Sequence, residues 1–148
     1  MSEANQTQIG GDHYKTGGLE HWDLIENHGI GYLEGCATKY VTRCRKKNGL
    51  QDLDKATHYV IKLRELAMQN KRYPTGAATV ADLQAFFRSS RCNELECAII
   101  GILCTWSVPE DLTNALNLLS DYRRLLIING PRTLEDGGHH ARQTENPA

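Results

Sequence analysis

A chain of 148 residues is long enough for one domain with a real core, with or without an appendage. Its 17 Lys and Arg against 18 Asp and Glu leave a formal net charge of −1, which argues against a general nucleic-acid coat or a membrane-surface protein. The positive charge is focused instead: five cations fall in the nine positions of "KYVTRCRKK", Lys39 to Lys47, with no acid among them. Such focus suits a compact anion such as a phosphate.

The opening "MSEANQTQIGGDHY" has neither a basic n-region nor an apolar h-region, so no signal peptide is expected. Residues 1–10 and 132–148 are polar and aperiodic and are expected to be flexible. Between them the periodicity is helical and predicts an all-α fold. The first helix is expected over Leu19–His28, stopped by Gly29, with Trp22 and Ile25 as its apolar stripe and Leu24 beside it. A second runs from Tyr32 to Lys47 and ends at Asn48-Gly49, a left-handed cap. A third spans Asp52–Met68, where Leu53, Ala56, Val60, Leu63 and Ala67 recur at helical spacing. These elements form an N-terminal helical hairpin unit, residues 11–70, followed by a linker at 71–78 broken by Pro74 and Gly76.

Additional helices are expected in a C-terminal region, 79–131, over Val80–Arg88, Glu94–Trp106 and Pro109–Ile128. The last has Ser107 as a cap, acids at Glu110 and Asp111, and Gly130-Pro131 beyond its end. "LECAIIGILCTW" is apolar on nearly every face and must be buried all round, in the core or between subunits. It is too short to span a bilayer, so no membrane partner is expected. Five cysteines with no C-x-x-C pair point to a reducing, cytoplasmic location and away from a zinc site.

On a continuous helix Lys39, Arg43, Lys46 and Lys47 share one face, while Arg45 points away and Cys36, Tyr40, Val41 and Cys44 carry the apolar contact. Cations in a last turn also complement the helix dipole, so a solvated face accounts for this stripe by itself. Three neighbours give it a chemical setting. A hairpin brings Lys55 and Tyr59 beside it; the glycine-rich "GGDHYKTGGLEHWD" gathers His13, Tyr14, His21 and Trp22, suited to a base; and Asp12, Asp23, Glu34 and Asp52 supply carboxylates. Together they describe a nucleotide-sized site. The chain lacks a P-loop, a G-x-S-x-G elbow, an H-E-x-x-H pair and a kinase-type glycine loop.

The run "DHY…LEHWDLIENHGIGYLEGCATKYVTRCRKKNGLQDLDKATHYVIKL" resembles the conserved domain of the SaV-like small phage proteins, a family that includes a phage nucleotide kinase without a P-loop. The likeness covers roughly residues 11–66: the His-Tyr pair, His-Trp-Asp, Gly35, the Lys-Tyr-x-x-Arg run at Lys39–Arg43, the paired lysines, and Asp52-Leu53-x-Lys55-Ala56. It implies a phage protein of the infected bacterial cytoplasm that moves a phosphoryl group from a nucleoside triphosphate to a (deoxy)nucleoside monophosphate, and that assembles as a homo-oligomer. A magnesium requirement is left open, and neither a protein-held metal nor a stable nucleic-acid partner is expected.

In such a kinase Lys39 and Arg43 would hold the transferring phosphoryl, Arg43 through a two-pronged contact. Lys46, Lys47 and Lys55 would hold the remaining phosphates. Asp23 or Asp52 would orient the acceptor proton. His13, Tyr14, His21, Trp22, Tyr40 and Tyr59 would meet base and sugar. Arg43→Ala is then expected to slow turnover roughly a hundredfold with the fold intact. Two other readings use the same residues: a protein that sequesters a nucleotide without turning it over, and an all-α nucleoside triphosphate pyrophosphohydrolase, for which Glu20 and Asp23 are one acidic pair.

Overall fold

The computed structural model describes residues 2–7, 9, 18–46 and 49–129, and the expected flexible tail at 132–148 lies outside them. Among the described residues there are seven helices and no strand: α1 Glu3–Gln6, α2 His21–Asn27, α3 Tyr32–Arg43, α4 Leu50–Met68, α5 Val80–Ser90, α6 Glu94–Leu103 and α7 Pro109–Asn129. The fold is all-α, and none of these helices is long and apolar enough to cross a membrane.

The five α4 positions picked out by spacing, Leu53, Ala56, Val60, Leu63 and Ala67, are all buried. They meet Ala37, Val41 and Cys44 across the α3–α4 hairpin and the buried Leu112, Ala115, Leu119, Tyr122 and Leu126 of α7 on the other flank. Each large aliphatic side chain removed from water here contributes roughly 1.5–3 kcal/mol. Helix α6 lies against α7 and α3 and buries Ile99, Ile100 and Leu103, so its apolar character is largely absorbed within one chain. Helix α5 rests on α2, where His28 Nε2 and Asp82 Oδ2 stand 2.7 Å apart.

Local chemistry sets the helix ends. Thr79 caps α5, accepting from the Asp82 N–H at 3.2 Å. Asn93 and Glu96 form a reciprocal capping box at the start of α6. Asp111 accepts from the backbone N–H groups of Ser107 and Val108 before α7, and those bonds hold its carboxyl below the ordinary carboxylate range. The turn into α4 uses Gly49 at φ +50°, which an L side chain rarely adopts.

Three arginine pairs with buried carboxylates tie the elements together, Arg43–Asp52, Arg45–Glu96 and Arg72–Glu34, and an exposed one, Arg123–Asp54, joins α7 to α4. The Arg72–Glu34 pair gives the expected linker a fixed course. Arg72 Nη2 donates to both Glu34 oxygens at 2.7 and 2.8 Å, Trp106 Nε1 donates to Glu34 Oε2 at 3.1 Å, and the Ala78 N–H donates to the Cys104 carbonyl at 2.9 Å. A Cβ on Gly31 would lie 2.0 Å from Arg72 Nη2, so the bare backbone there is what admits the guanidinium.

Two expectations need correcting. Helix α3 stops at Arg43, and Cys44–Lys46 form a turn, because Arg45 reaches into the α5–α6 corner to meet Glu96. The cationic stripe therefore divides: Lys46 does not share a helical face with Lys39 and Arg43. On α2 the core pair is Leu24 and Ile25, whereas Trp22 is 49% exposed. A helix of seven residues has one inward face, and contact with α3 and α5 assigns it to Leu24 and Ile25.

Candidate functional site

The outer face of the α3–α4 hairpin carries the greatest concentration of candidate residues. Tyr40 of α3 stacks on Tyr59 of α4, with ring centroids 6.0 Å apart and planes 17° from parallel. Tyr32 closes on Tyr59 edge-on at 6.2 Å. Three cations converge on the Tyr40 ring: Lys39 Nζ at 5.2 Å, Lys55 Nζ at 5.2 Å and the Arg43 guanidinium carbon at 4.9 Å. The hairpin thus places Lys55 and Tyr59 against Lys39 and Tyr40, as the spacing predicts. Tyr59's phenol, with the Tyr32 phenol and Cys36 thiol beside it, is pushed up to about 12 and stays protonated at neutral pH.

These cations differ in what balances them. Arg43 donates from Nε and Nη2 to the two oxygens of Asp52, both at 3.0 Å, and the Asp52 side chain is fully buried. Lys39 and Lys55 have no ion pair among the described residues. The ring quadrupole offsets each of them by about 0.5–1 kcal/mol at an exposed site, which leaves their mutual repulsion largely standing.

Beside this cluster, between α2 and the first turns of α3, lies a cavity of about 340 Å³. His21, Trp22, Glu26, Tyr32, Cys36 and Lys39 contribute to its walls, so Lys39 belongs both to the cavity and to the cluster on Tyr40. Trp22 is positioned from outside: its Nε1 donates to Asn5 Oδ1 at 2.6 Å, and Asn5 Nδ2 donates to Asp23 Oδ2 at 2.7 Å. The short helix α1 therefore braces the tryptophan, a role no pattern in the sequence signals.

His21 sits 2.8 Å from Thr38 Oγ1 through Nε2. The Thr38 hydroxyl donates to the Glu34 carbonyl at 2.9 Å, so its lone pair accepts from His21 Nε2–H. The imidazole is then the Nε2–H tautomer, with Nδ1 as an acceptor. Burial first, and the charge of Lys39 second, lower its pKa from 6.5 to about 4, so at neutral pH it carries no charge.

The remaining candidates are distributed as follows. His21, Trp22, Lys39, Tyr40, Arg43, Lys55 and Tyr59 share the α2–α3–α4 face. Asp52 is committed to Arg43 and Asp23 to Asn5. Lys46 faces away, its Nζ donating to the Ser90 carbonyl at 3.3 Å. His13, Tyr14 and Lys47 lie outside the described residues. Glu20 is buried, and no group of three or more metal-ligating side chains occurs among the described residues. The Arg43–Asp52 pair also changes one expectation: Arg43→Ala strands a buried carboxylate, and should cost about 2 kcal/mol of stability or more, read as a lower urea midpoint. It is a poor probe of turnover.

A family model described as a protein of unknown function, DUF3310, matches residues 9–61, which takes in α2, α3 and the first part of α4. No curated protein and no solved structure matches the chain.

Proposed function

We propose that the α2–α3–α4 face binds a nucleoside monophosphate and that the chain transfers a phosphoryl group to it from a nucleoside triphosphate. The observation that carries this reading is the convergence of Lys39, Lys55 and Arg43 on Tyr40 at the edge of a cavity walled by Trp22 and Tyr32. Cations gathered around one ring favour an anion beside them, and exposed aromatic edges next to them suit the planar base attached to it. The reaction is what the resemblance to the SaV-like proteins adds.

The chemistry asks little of the protein beyond alignment and positive charge. An ionised oxygen of the monophosphate attacks the γ-phosphorus, the bond from that phosphorus to the bridging oxygen breaks, and two diphosphates result. The attacking oxygen has already lost its proton at neutral pH, so no general base is needed. That is consistent with Asp23 and Asp52 both being engaged elsewhere. Lys39 and Lys55 would meet phosphate oxygens, while Arg43, gripped by Asp52, would act as a fixed positive charge behind them.

The test is to incubate the purified chain with each deoxynucleoside monophosphate and a triphosphate donor, with and without chelator, and to resolve the products. Diphosphate should appear, and Lys39→Gln and Lys55→Gln should each lower kcat/KM about 10- to 100-fold, the worth of one charged phosphate contact. Monophosphates recovered intact would sink the transfer reaction. If they were nonetheless bound in a Lys39-dependent way, the site would be one of sequestration, a reading favoured by the engagement of Arg43 with Asp52.

A further inference from the structure

Arg45 and Lys46, near the far end of the "KYVTRCRKK" block, take no part in the site above. Lys46 reaches the C-terminal end of α5, where its Nζ bonds the Ser90 carbonyl, and Arg45 Nη2 bonds the Arg91 carbonyl at 2.6 Å. Next to them is an open groove of about 610 Å³ lined by Gln84, Phe87, Arg88, Arg91 and Cys92. Its volume is in the range of small-molecule sites. Arg88 and Arg91 are exposed and have no ion-pair partner among the described residues. The buried carboxylate nearby, Glu96, is already neutralised by Arg45.

We propose that this groove binds a nucleoside polyphosphate, with Arg88, Arg91 and Lys46 on the phosphates and the half-buried Phe87 ring against the base. Helix-dipole complementarity would account for Arg88 alone, in the last turn of α5. It does not account for Arg91, which lies past the helix end, or for Lys46, which arrives from the turn after α3. Arg91 is held in the left-handed region (φ 53°, ψ 46°), a place where glycine is the ordinary residue. Its N–H donates back to the carbonyls of Phe87 and Arg88, and that of Cys92 to Phe87 at 3.0 Å, so the backbone beneath both arginines is fixed. Guanidinium groups offered from a rigid turn suit bidentate contact with phosphate oxygens. Burial raises the Cys92 thiol well above its ordinary range, so it lines the groove as a neutral group, not a nucleophile. The groove stands independently of the reaction proposed for the other face.

The test is calorimetric titration of the full chain with ATP and, separately, with inorganic tripolyphosphate. Arg88→Gln combined with Arg91→Gly should weaken ATP at least tenfold. Glycine relieves the left-handed strain, so circular dichroism and the unfolding midpoint should show an undamaged fold. Phe87→Leu should weaken ATP at least threefold and leave tripolyphosphate unchanged, and both sets of losses should persist in a Lys39→Gln background, which removes a phosphate contact of the other face. Unchanged ATP affinity of the double arginine variant in the Lys39→Gln background overturns the proposal, because binding that survives both changes does not use this groove. Equal affinity for the two ligands, with Phe87→Leu silent, overturns the nucleoside part. Monophosphate turnover reports on the other face and fails or succeeds separately.

Discussion

Arg45→Met is expected to destabilise the fold by about 3–5 kcal/mol, the usual cost of breaking a buried ion pair from one side. The side chains of Arg45 and Glu96 are 5% and 0% exposed, and Nε donates to both carboxylate oxygens at 3.0 and 2.9 Å. Burial already pushes the Glu96 carboxyl above its ordinary range, with the Arg45 hydrogen bond and charge as the main opposing effects. Without Arg45 the carboxylate is stranded beside Cys92 and Tyr122. A carboxyl raised in the fold is favoured by protonation, so the deficit should narrow as pH falls towards the ordinary carboxyl range. Adding Glu96→Gln, which keeps an oxygen for the capping box, should restore much of the loss at pH 7. Urea unfolding of both variants across this range reads the effect. An Arg45→Met protein as stable as the parent at pH 7 would mean the pair adds nothing to the α3–α5–α6 junction.

The second large effect is acid-driven and centres on His21. Its pKa lies near 4 in the fold and at 6.5 when free, so the unfolded chain takes up the proton first. The stability contributed by the neutral imidazole is complete above pH 6.5. It declines by about 1.4 kcal/mol per pH unit as pH falls, and levels off below about pH 4 for a total near 3 kcal/mol. His21→Gln, whose amide can still donate to Thr38, should remove this part of the acid limb while the steeper loss from carboxylates at lower pH remains. Lys39→Gln should shrink it, because the Lys39 charge is the second cause of the shift. Coincident stability profiles for parent and His21→Gln between pH 6.5 and 4.5 would contradict both the tautomer and its burial.

These effects lie in different parts of the sequence record. Helix positions in α4 through α7 were legible from helical spacing and from the breakers between them, Pro74, Gly76 and Pro109. The caps that fix their starts, Thr79 before α5, Asn93 with Glu96, and Asp111 accepting from Ser107, emerged only from the structure. The meeting of Lys39, Tyr40, Lys55 and Tyr59 was legible too, since a short turn between two helices dictates an antiparallel hairpin. Trp22 was misplaced because composition cannot tell a core tryptophan from one braced at a cavity mouth by Asn5. The pairing of Arg43 with Asp52, nine positions away, was not legible, because no periodicity marks the two as partners.

By itself the sequence determined the all-α class, the hairpin and the clustering of cations near aromatic residues, because these follow from short-range spacing. Only the tertiary structure decided which cations are spent and which are available. Arg45 is consumed by Glu96, 51 positions on, and Arg43 by Asp52, while Lys39 and Lys55 gather on the Tyr40 ring with no ion pair among the described residues and Lys46 reaches the Ser90 carbonyl at the end of α5. Charge balance is a property of neighbours in space, and a buried carboxylate claims whichever guanidinium the fold delivers to it.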